Sequence, residues 1–154
     1  MREIKFRGKR IDTGEWIYGS LVQQFDEENR MHTAIVAYSE CWMAFVTTWV
    51  ISKTVGQYTG VKDKNGVDVY EGDIIRVSEY DSWYSNNNNV LRKIMWCNNS
   101  LTWVLRDENR APIPKYIVKD KDLGLFYESE IEIIGNIYDN PKLKREANKN
   151  EQRL

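Results

Sequence analysis

Apolar and polar positions alternate with a period of two at both ends of this chain. Between Arg2 and Gly8, Ile4 and Phe6 fall on one face and charged residues on the other. The Asp12-Thr13-Gly14 turn then leads into Trp16-Ile17-Tyr18-Gly19-Ser20-Leu21-Val22, which predicts a hairpin. A charged turn, Asp26 to Arg30, precedes Met31 to Ala37. The apolar window that follows, to Ile51, is rich in Trp, Phe, Val and Thr and reads as strand before helix. The first third is therefore a meander of short strands.

The strongest local signal lies in the middle. In Gln57-Tyr58-Thr59-Gly60-Val61-Lys62-Asp63-Lys64-Asn65-Gly66-Val67-Asp68-Val69-Tyr70, an Asn-Gly pair separates two extended arms, and both residues tolerate positive φ. Glu71-Gly72-Asp73 makes a second bend before Ile74 to Val77, with Ile75 and Val77 on one face. Ser78 to Asn89 is a polar loop ending in four consecutive Asn and carrying Trp83 and Tyr84. Val90 to Cys97, the Asn98-Asn99-Ser100 turn and Leu101 to Arg106 form a hairpin with Trp96 and Trp103 near its closed end. Pro112 and Pro114 break the next segment, and Glu130 to Tyr138 alternates as a last strand. About five short strands from Val69 onward suffice for a small closed barrel. No internal repeat is visible.

These runs resemble the YopX family of phage and prophage proteins. The blocks that carry the resemblance are Arg2-Glu3-Ile4-Lys5-Phe6-Arg7, Gln57 to Gly66, Tyr70-Glu71-Gly72-Asp73-Ile74, and Ile133-Ile134-Gly135-Asn136-Ile137-Tyr138-Asp139-Asn140-Pro141. Each block alone is turn-and-strand chemistry; their joint order is specific. The resemblance implies a mainly β fold with an SH3-type small β-barrel in the C-terminal part, a bacteriophage or prophage origin, and no settled activity. The expected architecture is an N-terminal strand meander packed with that barrel. Its parts are a hairpin and meander region over 1–55, a barrel region over 56–140 and a basic charged tail over 141–154. The Met31 to Ile51 segment and the Asn-rich loop depart from the family's recurrent motifs.

Composition narrows the function. At 154 residues with 42% apolar side chains, six Trp and nine Tyr, the chain can close one hydrophobic core or two small β units. Cys41 and Cys97 lie far apart without a Cys-x-x-Cys pair, and the alternating N-terminus lacks the apolar run of a secretory leader, so reduced cysteines and a cytoplasmic host-cell location are expected. Cys41 to Ile51 is too short to span a bilayer, and no membrane role is expected. The net charge of -1 conceals a basic tail, with Lys142, Lys144, Arg145, Lys149 and Arg153 against Glu146 and Glu151. Such a tail is most often a solvated end, although it can touch nucleic acid.

Candidate chemistry is sparse. His32 is the single histidine and has no nucleophile nearby in sequence, so a surface or packing role is expected. Asp63, Asp68, Glu71 and Asp73 converge locally but fail the calcium-loop pattern. Counted from Asp63, the sixth position is Asp68 rather than Gly and the twelfth is Ile74 rather than Glu. Tight turns require such residues anyway; Glu71 and Asp73 as a catalytic pair is the remote alternative. Gly56, Gly60, Gly66 and Gly72 match no phosphate loop. No enzyme, cofactor or metal is expected. The leading reading is a non-enzymatic interaction or assembly module that binds itself or a phage or host protein. The competing one is nucleic-acid binding by aromatic and basic residues, with Trp83, Tyr84, Arg92, Lys93 and Arg106 as contacts and Trp96 and Trp103 as core or contact residues.

Overall fold

The structure, a computed structural model, describes residues 3–79, 88–98, 101–106 and 131–143. It is nearly all β and clusters into two compact units, one through Gly60 and one from Val61.

In the first unit, β1 (Phe6–Lys9), β2 (Trp16–Phe25), β3 (Met31–Ser39) and β4 (Ala44–Trp49) form an antiparallel meander. Asp26 sets the β2–β3 turn by accepting the amides of Glu28 and Arg30 at 2.9 and 2.8 Å, which leaves Phe25 opposite Met31. The β3–β4 turn spans Glu40 to Met43 between the paired Ser39 and Ala44. Beyond β4 the chain returns to the end of β1. Ile11 donates its amide to the Trp49 carbonyl (3.1 Å) and Ile51 donates to that of Lys9 (2.8 Å), so the meander curls about the buried Ala34, Ile35 and Val50. A 3-10 turn at Ser52–Thr54 fixes this return. The Thr54 hydroxyl donates to the Ile51 carbonyl and accepts the Lys9 amide. Strand β5 (Gly56–Lys62) then pairs on β1 with Arg7 opposite Gly56.

In the second unit, the last residues of β5 and strand β6 (Asp68–Tyr70) are the arms of the Asn65-Gly66 hairpin. Strands β7 (Asp73–Glu79), β8 (Asn88–Cys97), β9 (Thr102–Arg106) and β10 (Ile131–Asn136) make an antiparallel sheet in the order β10-β7-β8-β9, with a bulge in β10 between Ile133 and Gly135. Val61 and Val69 from the hairpin arms pack with Ile75, Ile94, Trp103, Leu105 and Ile131 from one face of that sheet, and Trp96 and Ile133 flank them. Burial of this kind contributes about 25 cal/mol per Å² of apolar surface, and it explains why the alternating residues of β7 to β9 form strands.

The mainly β class is as expected. The closed barrel is not: β10 and β9 stand at opposite edges of the four-stranded sheet and do not pair with each other, so among the described residues the sheet is open. Strand number is readable from alternation, whereas closure depends on which strand meets the two ends.

Candidate interaction surface

The residues singled out as contacts fall on separate parts of the chain. Trp83 and Tyr84 lie outside the described residues, as does the tail beyond Leu143. Lys93 and Arg106 are register partners across β8 and β9. Arg92, one position earlier, stands opposite Ile75 and so belongs to the core face, because successive residues of a strand point to opposite sides. Trp96 and Trp103 meet edge to face with centroids 5.0 Å apart, and Trp103 is only 7% exposed, which makes it a core residue.

The acidic positions in the middle of the chain serve turns. Asp63, buried, accepts the amides of Asn65 (2.8 Å) and Val67 (3.0 Å) with Oδ1, and that of Ile133 (3.2 Å) with Oδ2. Burial pushes its carboxyl up, but those amides and the Asn65 side chain outweigh it, so the group titrates below its ordinary value. Asp73, also buried, accepts the Tyr70 amide at 2.8 Å and closes the Glu71-Gly72 bend. Asp68 is ion-paired with Lys62 at 2.8 Å. Carboxylates committed to backbone amides in this way hold loops in place.

His32 borders an open cavity of about 420 Å³ with Ile11, Asp26, Met31, Trp49 and Ser52. Its Nε2 lies 2.9 Å from Asp26 Oδ2 and its ring meets Trp49 edge-on at 5.9 Å. The hydrogen bond from His32, followed by those from the Arg30 amide and guanidinium, holds the Asp26 carboxyl far below the usual carboxylate range. The neighbouring Ser52 hydroxyl donates to Thr33 Oγ1 at 2.9 Å, not to His32. Asp26, Arg30 and His32 thus brace the β2–β3 turn.

The feature that alternation did not reveal is the β3–β4 hairpin. Tyr38, Trp42, Met43 and Phe45 are 57, 75, 80 and 77% exposed, and Trp49 is exposed on the same strand as Phe45. Tyr38 and Phe45, opposite each other, make a T-shaped pair at 5.6 Å, a contact that fixes their rings outside any core. Met43 adopts φ of +46°, a left-handed conformation that Gly or Asn ordinarily fills at the end of such a turn. The β2–β3 turn follows that custom with Asn29 at +59°. Apart from Val67 and Leu101, every exposed large apolar side chain among the described residues belongs to the first unit. Contiguous exposed apolar surface is unusual in a monomer and marks places where another molecule docks. The sequence signal was available in Trp42, Met43 and Phe45, but a short apolar run reads equally well as a buried strand.

The blocks from Gln57 to Ile74 and from Ile133 to Pro141 contain or adjoin the turns held by Asp63, Gly72 and Asp73, and a family model described as YopX protein matches residues 5–144. The chain belongs to the YopX family. It is similar to the crystal structure of protein EF1440 from Enterococcus faecalis, with a TM-score of 0.50 and 21% identity over 93% of this chain and 99% of that one. At that identity the likeness establishes the fold alone. No curated protein matches the chain. Among the described residues, no helix of this YopX family member is long and apolar enough to cross a membrane.

Proposed function

We propose that this YopX family member is a non-enzymatic interaction module of phage or prophage origin that assembles with protein, itself included, through the apolar hairpin of its first unit. The observation that carries this reading is that Tyr38, Trp42, Met43 and Phe45, all large, apolar and exposed, belong to one hairpin. Large aromatic side chains of this kind dominate binding energy at protein interfaces, since they bury much area with little loss of rotamer freedom. The acidic turns and the Asp26–His32 pair support the same view, because their hydrogen bonds go to loop amides and to each other.

Light scattering on the full chain over a concentration series tests the reading, paired with Trp42→Ala. An oligomeric mass that falls in the variant supports it. A monomer at every concentration leaves only a foreign partner. Anisotropy of labelled oligonucleotides gives the opposing outcome: binding at low salt that weakens steeply as salt rises would move the assignment to nucleic acid.

A further inference from the structure

Strand β4 ends its sheet, and among the described residues its edge from Ala44 to Thr48 is unguarded. Natural edge strands are blunted by Lys, Pro, a bulge or a covering element. Ala44-Phe45-Val46-Thr47-Thr48 contains no charge and no Pro, and its register with β3 runs without interruption from Ala34↔Trp49 to Ser39↔Ala44. The hydrogen bonds of neighbouring residues show which backbone groups point outward. Val50 donates inward to the Thr33 carbonyl, while the Trp49 carbonyl accepts Ile11 on the other side. Backbone groups alternate along a strand, so Phe45 and Thr47, like Trp49, present their N–H and C=O away from β3. At Trp49 the chain near Ile11 covers the edge. At Phe45 and Thr47 no strand, loop or side chain among the described residues does.

From this geometry we infer that β4 pairs antiparallel with β4 of a second copy of the chain, an inference that rests on the self-assembly reading above. An uncharged edge offers nothing to attract a charged strand and nothing to repel its own copy. A two-fold axis normal to the sheet brings like face to like face, so the register must pass through a residue rather than between two. The uncovered stretch from Ala44 to Thr48 is centred on Val46. Val46 then faces the partner's Val46, and Phe45 faces the partner's Thr47. The outward groups of those residues exchange their hydrogen bonds, and the pairing stops short of the edge covered by Ile11. Phe45, already against Tyr38, gains a neighbour across the axis, and the interface is isologous and closed.

Three variants test the register. In the full chain, Thr47→Pro removes one outward N–H without touching a β3–β4 bond, and it should weaken association at least 100-fold by light scattering while the thermal melt of the diluted protein is retained. Val46→Lys and Val46→Glu should each be monomeric, and mixing them should restore the pair, because unlike charges then meet on the axis. Val46→Cys, in a Cys41→Ser, Cys97→Ser background, should form an interchain disulfide under mild oxidation, since the non-hydrogen-bonded position of an antiparallel pair brings the two Cα atoms within bridging range. This readout does not depend on the charged variants folding. An oligomer that ignores Thr47→Pro and whose Val46→Cys variant fails to crosslink overturns the β4 pairing and leaves self-assembly standing. A wild-type monomer at every concentration overturns both.

Discussion

Asp63 Oδ2 accepts the backbone amide of Ile133 at 3.2 Å, joining a turn in the middle of the chain to its last described strand. The same carboxylate holds the amides of Asn65 and Val67, and the amide of Lys64 next to it donates to the Ile131 carbonyl at 3.0 Å. One side chain therefore fixes both the shape of the β5–β6 hairpin and its attachment to β10. Asp63→Ala should destabilise the protein by about 3 kcal/mol, because it leaves several shielded amides without acceptors. Urea unfolding followed by tryptophan fluorescence would show it. A loss under about 0.5 kcal/mol would mean that water replaces the carboxylate freely.

The same contact makes stability depend on acid. The folded value of Asp63 lies below its ordinary 3.8, so as pH falls the unfolded chain takes up this proton first. The stabilisation is complete above 3.8 and is lost as pH falls from there through the folded value. Asp63→Asn keeps an acceptor but cannot titrate. The stability difference between wild type and this variant should be flat from neutral pH down to about 5 and should shrink below it. A constant difference down to about pH 2 would contradict the assignment.

Gly66 and Gly72 both have left-handed φ, +79° and +85°, yet they differ in surroundings. A Cβ at Gly66 would meet nothing within 4 Å, whereas at Gly72 it would lie 3.3 Å from Tyr138 and 3.5 Å from Ile137. Gly66→Ala should cost about 1 kcal/mol from backbone strain alone. Gly72→Ala should cost about 2 kcal/mol, since crowding adds to the strain. Equal losses in parallel denaturant titrations would show that the Tyr138 contact relaxes without penalty.

How much of this could be read beforehand depended on how each turn is made. Asn65-Gly66, Glu71-Gly72-Asp73 and Asp26 to Arg30 announce themselves, since Gly, Asn and Asp have local reasons to bend a chain. The turn from Glu40 to Met43 contains none of them, so Met31 to Ile51 showed its strand character but not where it reverses. Alternation also set the face of Ile75, which packs in the core with Ile94 and Leu105. The edge at Phe45 and Thr47 is a property of strand order, which periodicity does not encode. Arg92 and Lys93, adjacent in sequence, fall on opposite faces of β8, a separation that follows from the pleat once the strand is known.

Trp103 and Trp42 offer a direct contrast between core and surface. Trp103 packs with Ile94 and Leu105, and Trp103→Ala should cost about 3 to 5 kcal/mol of stability. Trp42, three-quarters exposed, should lose less than about 0.5 kcal/mol in the dissociated chain on truncation, while association weakens. Thermal melts at low concentration separate the two effects. A large stability loss for Trp42→Ala in the dilute protein would place that ring in a core and remove it from the interaction surface.

Met43 carries the last prediction. A side chain at φ of +46° costs about 1 kcal/mol that Gly would not incur, and at 80% exposure it recovers none of this by burial within the chain. Met43→Gly should therefore stabilise the dissociated protein by up to about 1 kcal/mol while reducing association, because the strained position holds Met43 beside Trp42 at the hairpin tip. Opposite signs in the two measurements, dilute denaturant unfolding and concentration-dependent light scattering, are the signature of a residue kept for contact. If Met43→Gly destabilises the dilute protein, the methionine is packing within its own unit. If stability rises and association is unchanged, the strain serves no interface and the tip lies outside the assembly surface.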